Sequence, residues 1–356
     1  MSGVFGVLWD AVIQQTKYMA TEKEYDIIGI GSPLLDIIIE VEEIVLFSHG
    51  LKKGEMHLVD SARSESILEG LKEYAKTYIS GGSAANTVSG ASLLGGKGLF
   101  LGVIGNDEYG NVYEEEMQKS GVTASLLRHE DAATGCAITF VTSDGERTFA
   151  TCLGAAKHLD KQHVSETDIR KSKILHIEGY LLEDERTREA AVAAMDFALR
   201  HGTLVSVDLS AAWLITNHIE VMRDIVKKYA DIVFVNEDEA FAFTGKKERE
   251  ALREIGDLCD IAVVKLGSRG SLVRAGGQAY MIDPHIVEVV NLNGAGDMYA
   301  AGFLYGIARG HSIESAGKVG SHVAALVVSS PGARMHETHY KKLQDILETY
   351  HLNIPI

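Results

Sequence analysis

The stretch Asn291-Leu-Asn-Gly-Ala-Gly-Asp297 runs into an apolar, helix-forming segment that ends near Arg309-Gly310. A helix start leaves backbone N–H groups without intrahelical partners at the positive end of the dipole, which suits the negative charge of a migrating phosphoryl group. Gly294, Ala295 and Gly296 keep that backbone approachable. Asp297, in the first helical turn, is the carboxylate that could take a proton from a hydroxyl as its oxygen attacks phosphorus. A first-turn acid alone only offsets the dipole, by about 0.3 to 1 kcal/mol. It is the pairing with a glycine turn that points to phosphoryl transfer.

Three further clusters have residue types suited to the same chemistry. Gly81-Gly82-Ser-Ala-Ala-Asn86-Thr opens a helix and reads either as a second anion site or as a tight strand-to-helix turn. Asn86 is poor for helix stability and good for binding a ligand hydroxyl. Asn236-Glu-Asp-Glu239 follows an apolar strand, where carboxylates could hold Mg²⁺ through waters or cap a helix. Lys265-Leu-Gly267-Ser-Arg-Gly270 follows another strand, and its glycines fit either passage close to nucleotide phosphates or a hairpin turn. The histidines are scattered and predict no metal cage. Cys136, Cys152 and Cys259 have no paired spacing for zinc or a disulfide, which fits a reducing compartment.

The elements that must position these residues alternate. Tyr25–Gly31, Leu99–Ile104, Ile174–Ile177, Leu204–Asp208, Ile232–Val235 and Ile261–Lys265 are short apolar runs of the kind buried in a parallel sheet. Helical periodicity falls on 61–78, 84–94, 186–201, 219–229, 295–309, 312–329 and 336–350. Cys136–Thr142 and Arg147–Thr151 form a hairpin over Ser143-Asp-Gly-Glu146, and a second hairpin turns at Gly276-Gly277. The segment after Gly29-Ile-Gly31 continues as a strand through Asp36-Ile-Ile-Ile, with Leu34 in place of a small residue. This argues against a dinucleotide-binding oxidoreductase.

The chain has 356 residues, 46% of them hydrophobic and 24% charged, enough for one large α/β core with a small accessory sheet. A net charge of −16 and a pI near 5.3, without a basic stripe, argue against nucleic acid as a partner. No window is apolar for the roughly 18 to 20 residues a membrane span needs. The first residues lack the charged start of a signal peptide, so a cytoplasmic protein is expected.

In order along the chain, Gly81-Gly82 to Asn86, Asn236 with Glu239, Gly267 with Gly270, and Gly294-Ala-Gly-Asp297 resemble the motifs of the ribokinase-like (PfkB) carbohydrate and nucleoside kinase family, over about Tyr25 to Arg334. The adenosine kinase branch looks nearest, in Gly29-Ile-Gly-Ser-Pro-Leu-Leu-Asp36, Thr134-Gly135-Cys136 and Asp208-Leu-Ser-Ala211. The resemblance implies a three-layer α/β/α sandwich with a mainly parallel sheet and a small β-sheet lid. Residues 24–34, 59–134 and 152–350 would form the large domain and 35–58 and 135–151 the lid. An extension of 1–23 and a tail of 351–356 would flank them.

It further implies ATP- and Mg²⁺-dependent phosphorylation of a ribose hydroxyl, adenosine first. A sugar kinase acting on ribose or fructose, or a nucleoside-binding regulatory protein without transfer activity, are the alternatives. Asp36 and Asn86 would hold ribose hydroxyls, with Gly81, Gly82 and Cys136 lining the acceptor. Tyr180 or Leu181 would lie against the base or belong to the core. Asp297 would be the base and Gly294 to Gly296 the anion hole. Lys265, Gly267, Gly270, Asn236, Asn293 and Gly294 would meet ATP, with Asn236 and Glu239 holding magnesium through water. Relatives carry Asp-Thr where this chain has Asn291-Leu292, which removes a charge from the usual monovalent-cation site and predicts weak or absent potassium activation. The resemblance fits a monomer or a homodimer.

Overall fold

The computed structural model describes residues 23–330, 334–335 and 339–350. The expected extension, apart from Lys23, and the tail 351–356 lie outside the described residues. Along the chain the strands are β1 Tyr25–Ile30, β2 Leu34–Glu40, β3 Met56–Leu58, β4 Thr77–Gly81, β5 Gly98–Gly105, β6 Val122–His129 and β7 Gly135–Val141. They continue as β8 Arg147–Cys152, β9 Ser172–Glu178, β10 Leu204–Asp208, β11 Ile232–Asn236, β12 Ile261–Lys265, β13 Ser271–Ala275 and β14 Gln278–Ile282.

Nine strands form one sheet in the order β14-β13-β12-β11-β10-β9-β1-β5-β6, parallel from β12 through β6, with β13 and β14 added antiparallel. Strand alternation sends neighbouring residues to opposite faces. Ile27, Phe100, Ile174 and Phe234 pack with Ala84, Val88, Met298 and Phe303 from the helices Ser83–Leu93 and Ala295–Ala308. Ile28, Leu101, Leu175 and Val233 pack on the other face with Ala190, Ala194, Met222 and Leu252 from the helices Glu185–His201, Ile219–Tyr229 and Glu248–Gly256. Both faces are covered, as a parallel sheet requires. The result is the expected α/β/α sandwich.

The other five strands form a second sheet, β3-β8-β7-β2-β4. The helix expected over 61–78 is shorter than its periodicity suggested. It ends at Gly70, and Thr77-Tyr-Ile-Ser-Gly81 pairs antiparallel with β2. Gly70 breaks the helix, and the β-branched and aromatic residues after it pack better on a pleated surface. The small sheet therefore takes a strand from the 59–134 segment expected to belong wholly to the large domain. In the last expected helix, residues 336–338 lie outside the described residues, and the helix found is Tyr340–Thr349.

Candidate active site

Open parallel sheets bind ligands at the carboxyl ends of their strands. Here that edge gathers Ser32 after β1, Glu178 at the end of β9, Asp208 at the end of β10, Asn236 at the end of β11 and Lys265 at the end of β12. Above it stand the first turns of two helices, Ser83–Leu93 and Ala295–Ala308.

Asp297 is held from both sides. Its Oδ1 accepts from Ser83 Oγ at 2.7 Å and its Oδ2 from Asn86 Nδ2 at 2.8 Å. Burial pushes this carboxyl up to about 6, against the pull of those two hydrogen bonds. The glycine turn before it is set by Gly294, which caps the helix at φ 75°, a left-handed conformation that glycine adopts without strain. Asn293 N–H donates to Asn291 Oδ1 at 3.0 Å, so the segment just upstream braces itself.

A second carboxylate lies where β2 and β4 meet. The carboxyl of Asp36 lies 2.9 Å from where a side chain at Gly81 would begin, so the glycine leaves room for it. Burial pushes Asp36 up to about 7, opposed by the charges of Arg334 and Arg147. Gly82, at φ 96°, passes so close to the Ser32 carbonyl that a Cβ would sit 2.2 Å from its oxygen. Arg334, only 4% exposed, donates through Nε to Asn86 Oδ1 and through a terminal nitrogen to Ser80 Oγ at 2.5 Å. It thereby holds the amide that holds Asp297.

Glu178 was not singled out from the sequence. Its two oxygens accept Ser32 N–H at 2.8 Å and Ala84 N–H at 2.9 Å, tying the loop after β1 to the helix that presents Ser83 and Asn86. Burial pushes this carboxyl up to about 7 despite those bonds. The available signal was a carboxylate ending an apolar strand. Ser83 and Arg334 left no local signal.

Cys136 is a correction. In β7 its thiol is buried on the face that packs against the helix Ser61–Gly70, 3.4 Å from Ser64 Oγ, and burial pushes it up to about 11. Asp36 points from the opposite face of the same sheet, so the Cys136 side chain does not line the acceptor. Tyr180 stands at the edge of the site, its hydroxyl donating to the Ser210 carbonyl at 3.5 Å and its ring packed against the core on that side. Burial raises its phenol, and the charges of Asp297 and Glu178 add to this.

On the opposite side of the glycine turn, a cleft of about 390 Å³ is lined by Lys265, Gly267, Gly270, His285, Leu292, Gly296 and Tyr299, among others. It is mostly apolar, and Leu292 itself is 71% exposed along its wall. Lys265 lies at the junction with the turn. Its Nζ donates to Asp208 Oδ2 at 2.9 Å and sits 3.0 Å from where a side chain at Gly296 would begin. Burial alone would lower this ammonium, but Asp208 and Glu239 more than compensate and keep it charged. Asn236 and Glu239 form a reciprocal cap: Asn236 N–H and Nδ2 donate to the two Glu239 oxygens at 2.7 Å, and Glu239 N–H donates to Asn236 Oδ1 at 2.9 Å. Burial pushes Glu239 upward.

A carboxylate in the first turn of a glycine-capped helix, a second carboxylate across from it and an apolar cleft meeting the same turn suit a phosphotransferase with an alcohol acceptor. The sequence pattern of the pfkB family carbohydrate kinases matches residues 62–339, and the chain belongs to that family. Among its curated relatives, the 5-dehydro-2-deoxygluconokinase of Bacillus subtilis (strain 168) is 28% identical over 339 residues, 92% of this chain and 97% of that one. That of Listeria monocytogenes serotype 4b (strain F2365) is 31% identical over 261 residues, 70% and 80% of the two chains. Among solved structures, a probable sugar kinase from Rhizobium etli CFN 42 aligns with a TM-score of 0.84 at 31% identity, covering 93% of this chain and all of that one. The adenosine kinase from Sinorhizobium meliloti gives 0.83 at 30%, covering 90% and 99%.

Proposed function

We propose that this kinase transfers the γ-phosphoryl group of ATP to a sugar hydroxyl held between Asp36 and Asn86. The observation that carries the reading is Asp297, half-buried, gripped by Ser83 and Asn86, and one residue beyond the Gly294 to Gly296 turn. Asp297 takes the hydroxyl proton while the backbone of the turn and Lys265 face the charge developing on the phosphoryl oxygens. ATP would lie in the apolar cleft, its phosphates passing Gly267, Gly270 and Asn293 toward the turn. The five-stranded sheet would act as a lid, closing over the acceptor to exclude water that competes for the phosphoryl group.

Magnesium fits as an ion carried on the nucleotide phosphates. Among the described residues no group of three or more His, Cys, Asp or Glu forms a metal cage. Asn236 and Glu239 are bound to each other, yet each Glu239 oxygen keeps a lone pair for a bridging water. When bound, the ion would neutralise phosphate charge.

For the acceptor, the curated 5-dehydro-2-deoxygluconokinases favour a free carbohydrate, reversing the order in which the sequence suggested adenosine and then a sugar. A nucleoside is the second reading. Leu34, Ile38, Ala137 and Phe149 share the Asp36 face of the small sheet and offer a base an apolar surface, and the likeness to the adenosine kinase supports it. An ADP-release assay over 5-dehydro-2-deoxygluconate, ribose, fructose and adenosine, with and without potassium, decides. Turnover of a carbohydrate above adenosine is expected, and no turnover of any acceptor would sink the kinase reading. With Asn291 and Leu292 at the usual cation position, potassium should change the rate less than about twofold, within the uncertainty of a few tenths of a kcal/mol.

A further inference from the structure

Ser210 is one of two non-glycine residues with a positive φ among the described residues, at 68°. It follows β10 at the carboxyl edge of the large sheet, and the chain reverses over it, with Ala211 N–H donating to the Leu209 carbonyl at 2.8 Å. A turn closed that way over a left-handed residue is rare and strained, and glycine would adopt it more easily. Strain of this kind persists only where the surroundings hold it, and it gathers at functional sites.

The surroundings here are hydrogen bonds to two strand ends. Ser210 N–H donates to Asp208 Oδ1 at 2.9 Å, while its hydroxyl donates to the Asp208 carbonyl at 3.2 Å and accepts Gly179 N–H at 2.8 Å. Gly179 passes so close to the turn that a Cβ would lie 2.7 Å from the Leu209 carbonyl oxygen, which locks the ends of β9 and β10 together just beyond Glu178. With Oδ1 held by Ser210, Asp208 offers Oδ2 to Lys265 Nζ at 2.9 Å, and that ammonium is 3.0 Å from where a side chain at Gly296 would begin. The Asp208 and Lys265 side chains are only 7% and 14% exposed, so the direction of the carboxylate decides where the ammonium sits. Glycine at 210 could make the turn but not the bond to Gly179. The hydroxyl is what the strain retains.

We propose that Ser210 is a positioning residue for phosphoryl transfer: its strained turn aims Asp208 at Lys265 and so holds the ammonium beside the Gly294 to Gly296 turn. The inference rests on the kinase reading, in which Lys265 faces the charge developing on the phosphoryl oxygens. Ser210 itself touches no reacting group. An ammonium that matters most in the transition state shows its displacement in kcat rather than in KM.

The experiment compares wild type with Ser210→Gly, which relieves the backbone and removes the hydroxyl. Ser210→Ala carries the same comparison should the glycine variant fail to fold. ADP release is measured with 5-dehydro-2-deoxygluconate, ribose, fructose and adenosine. Beside it, the rate at which acetic anhydride labels Lys265 is followed by mass spectrometry, with Lys173 as the internal reference because it too is ion-paired, to Asp26. Loss of one hydrogen bond corresponds to roughly 3- to 10-fold. By that factor kcat should fall for every acceptor turned over, with KM for ATP and acceptor within about twofold of wild type. Labelling of Lys265 should rise by a similar factor while that of Lys173 stays constant. Unchanged labelling of Lys265 would overturn the assignment, and so would equal acceleration at Lys173, which marks general loosening. A kcat within about twofold of wild type, or a loss carried by KM, would overturn it as well, since the transition state is then not what Ser210 serves. Should wild type turn over no acceptor, the kinase reading fails by itself, and the link from Ser210 through Asp208 to Lys265 is judged on the labelling alone.

Discussion

Asp297 combines two demands that pull its proton in opposite directions. Burial favours the neutral carboxyl, while Ser83 and Asn86 donate to the charged one, leaving it at about 6. A base poised there is ionised at neutral pH and still able to accept a proton in the transition state. Asp297→Asn should lower kcat by roughly 10²- to 10⁴-fold with little change in acceptor Kd, read by single-turnover kinetics beside calorimetry. In wild type, kcat/KM should fall as pH drops below about 6. Stability carries the opposite sign. The folded carboxyl holds its proton more tightly than an unfolded Asp does, so its contribution is full below about pH 4 and is lost as pH rises through about 6. Asp297→Asn should therefore gain stability relative to wild type as pH rises from 4 to 7, by roughly 3 kcal/mol at most. A thermal-melt difference that stays flat over that range would contradict the shift. Asp297, the glycine turn and Asn86 were legible because their meaning is local: residue type, spacing and a helix start. Glu178 and Arg334 were not, because their partners lie 94 to 254 positions away and only the fold brings them together.

The elements that serve the site are short and tightly constrained. The turn into Ser83–Leu93 works only with glycine at 82, where φ is 96° and the Ser32 carbonyl fills the space a Cβ would need. Gly82→Ala should cost at least 1 to 2 kcal/mol for the left-handed backbone alone. It should also displace Asn86, raising acceptor KM along with the drop in Tm. A variant with wild-type KM and Tm would show that the turn is not under this constraint. β4 is joined to the same region by Arg334, through Ser80 and the Gly81 carbonyl. Arg334→Met should lower kcat as well as stability, because Asn86 loses the donor that holds its amide toward Asp297. Arg334→Lys should not restore kcat, since a single ammonium cannot reproduce the planar fork. The element itself was misread as helix because Glu73-Tyr-Ala-Lys76 keeps helical composition past Gly70, and the partner that makes 77–81 a strand is β2, more than thirty residues earlier. Cys136 shows the same limit: its place in a hairpin was legible, but the face it points to depends on which sheet it joins.

Across the whole molecule, the nine-stranded sheet and its two helical layers are rigidly packed, with large side chains such as Phe100, Phe234 and Phe303 fully buried. The five-stranded sheet differs, because one of its faces packs on the helix Ser61–Gly70 while the other carries Asp36, Ile38, Phe149 and Arg147 on the side proposed for the acceptor. Among the described residues that face buries Ala137 and Thr139 but leaves Ile38 and Phe149 half-buried. If the sheet closes as a lid, acceptor binding should slow amide hydrogen exchange in β2, β7 and β8, with little change in β10 to β12, whose amides are already protected by a covered parallel sheet. Adding a non-hydrolysable ATP analogue should extend the protection to the Gly267–Gly270 loop and the Gly294 turn. Protection confined to residues that contact the acceptor directly, with the strand amides of β7 and β8 unchanged, would mean the small sheet is a fixed wall. Phosphoryl transfer would then have to exclude water by a route other than closure.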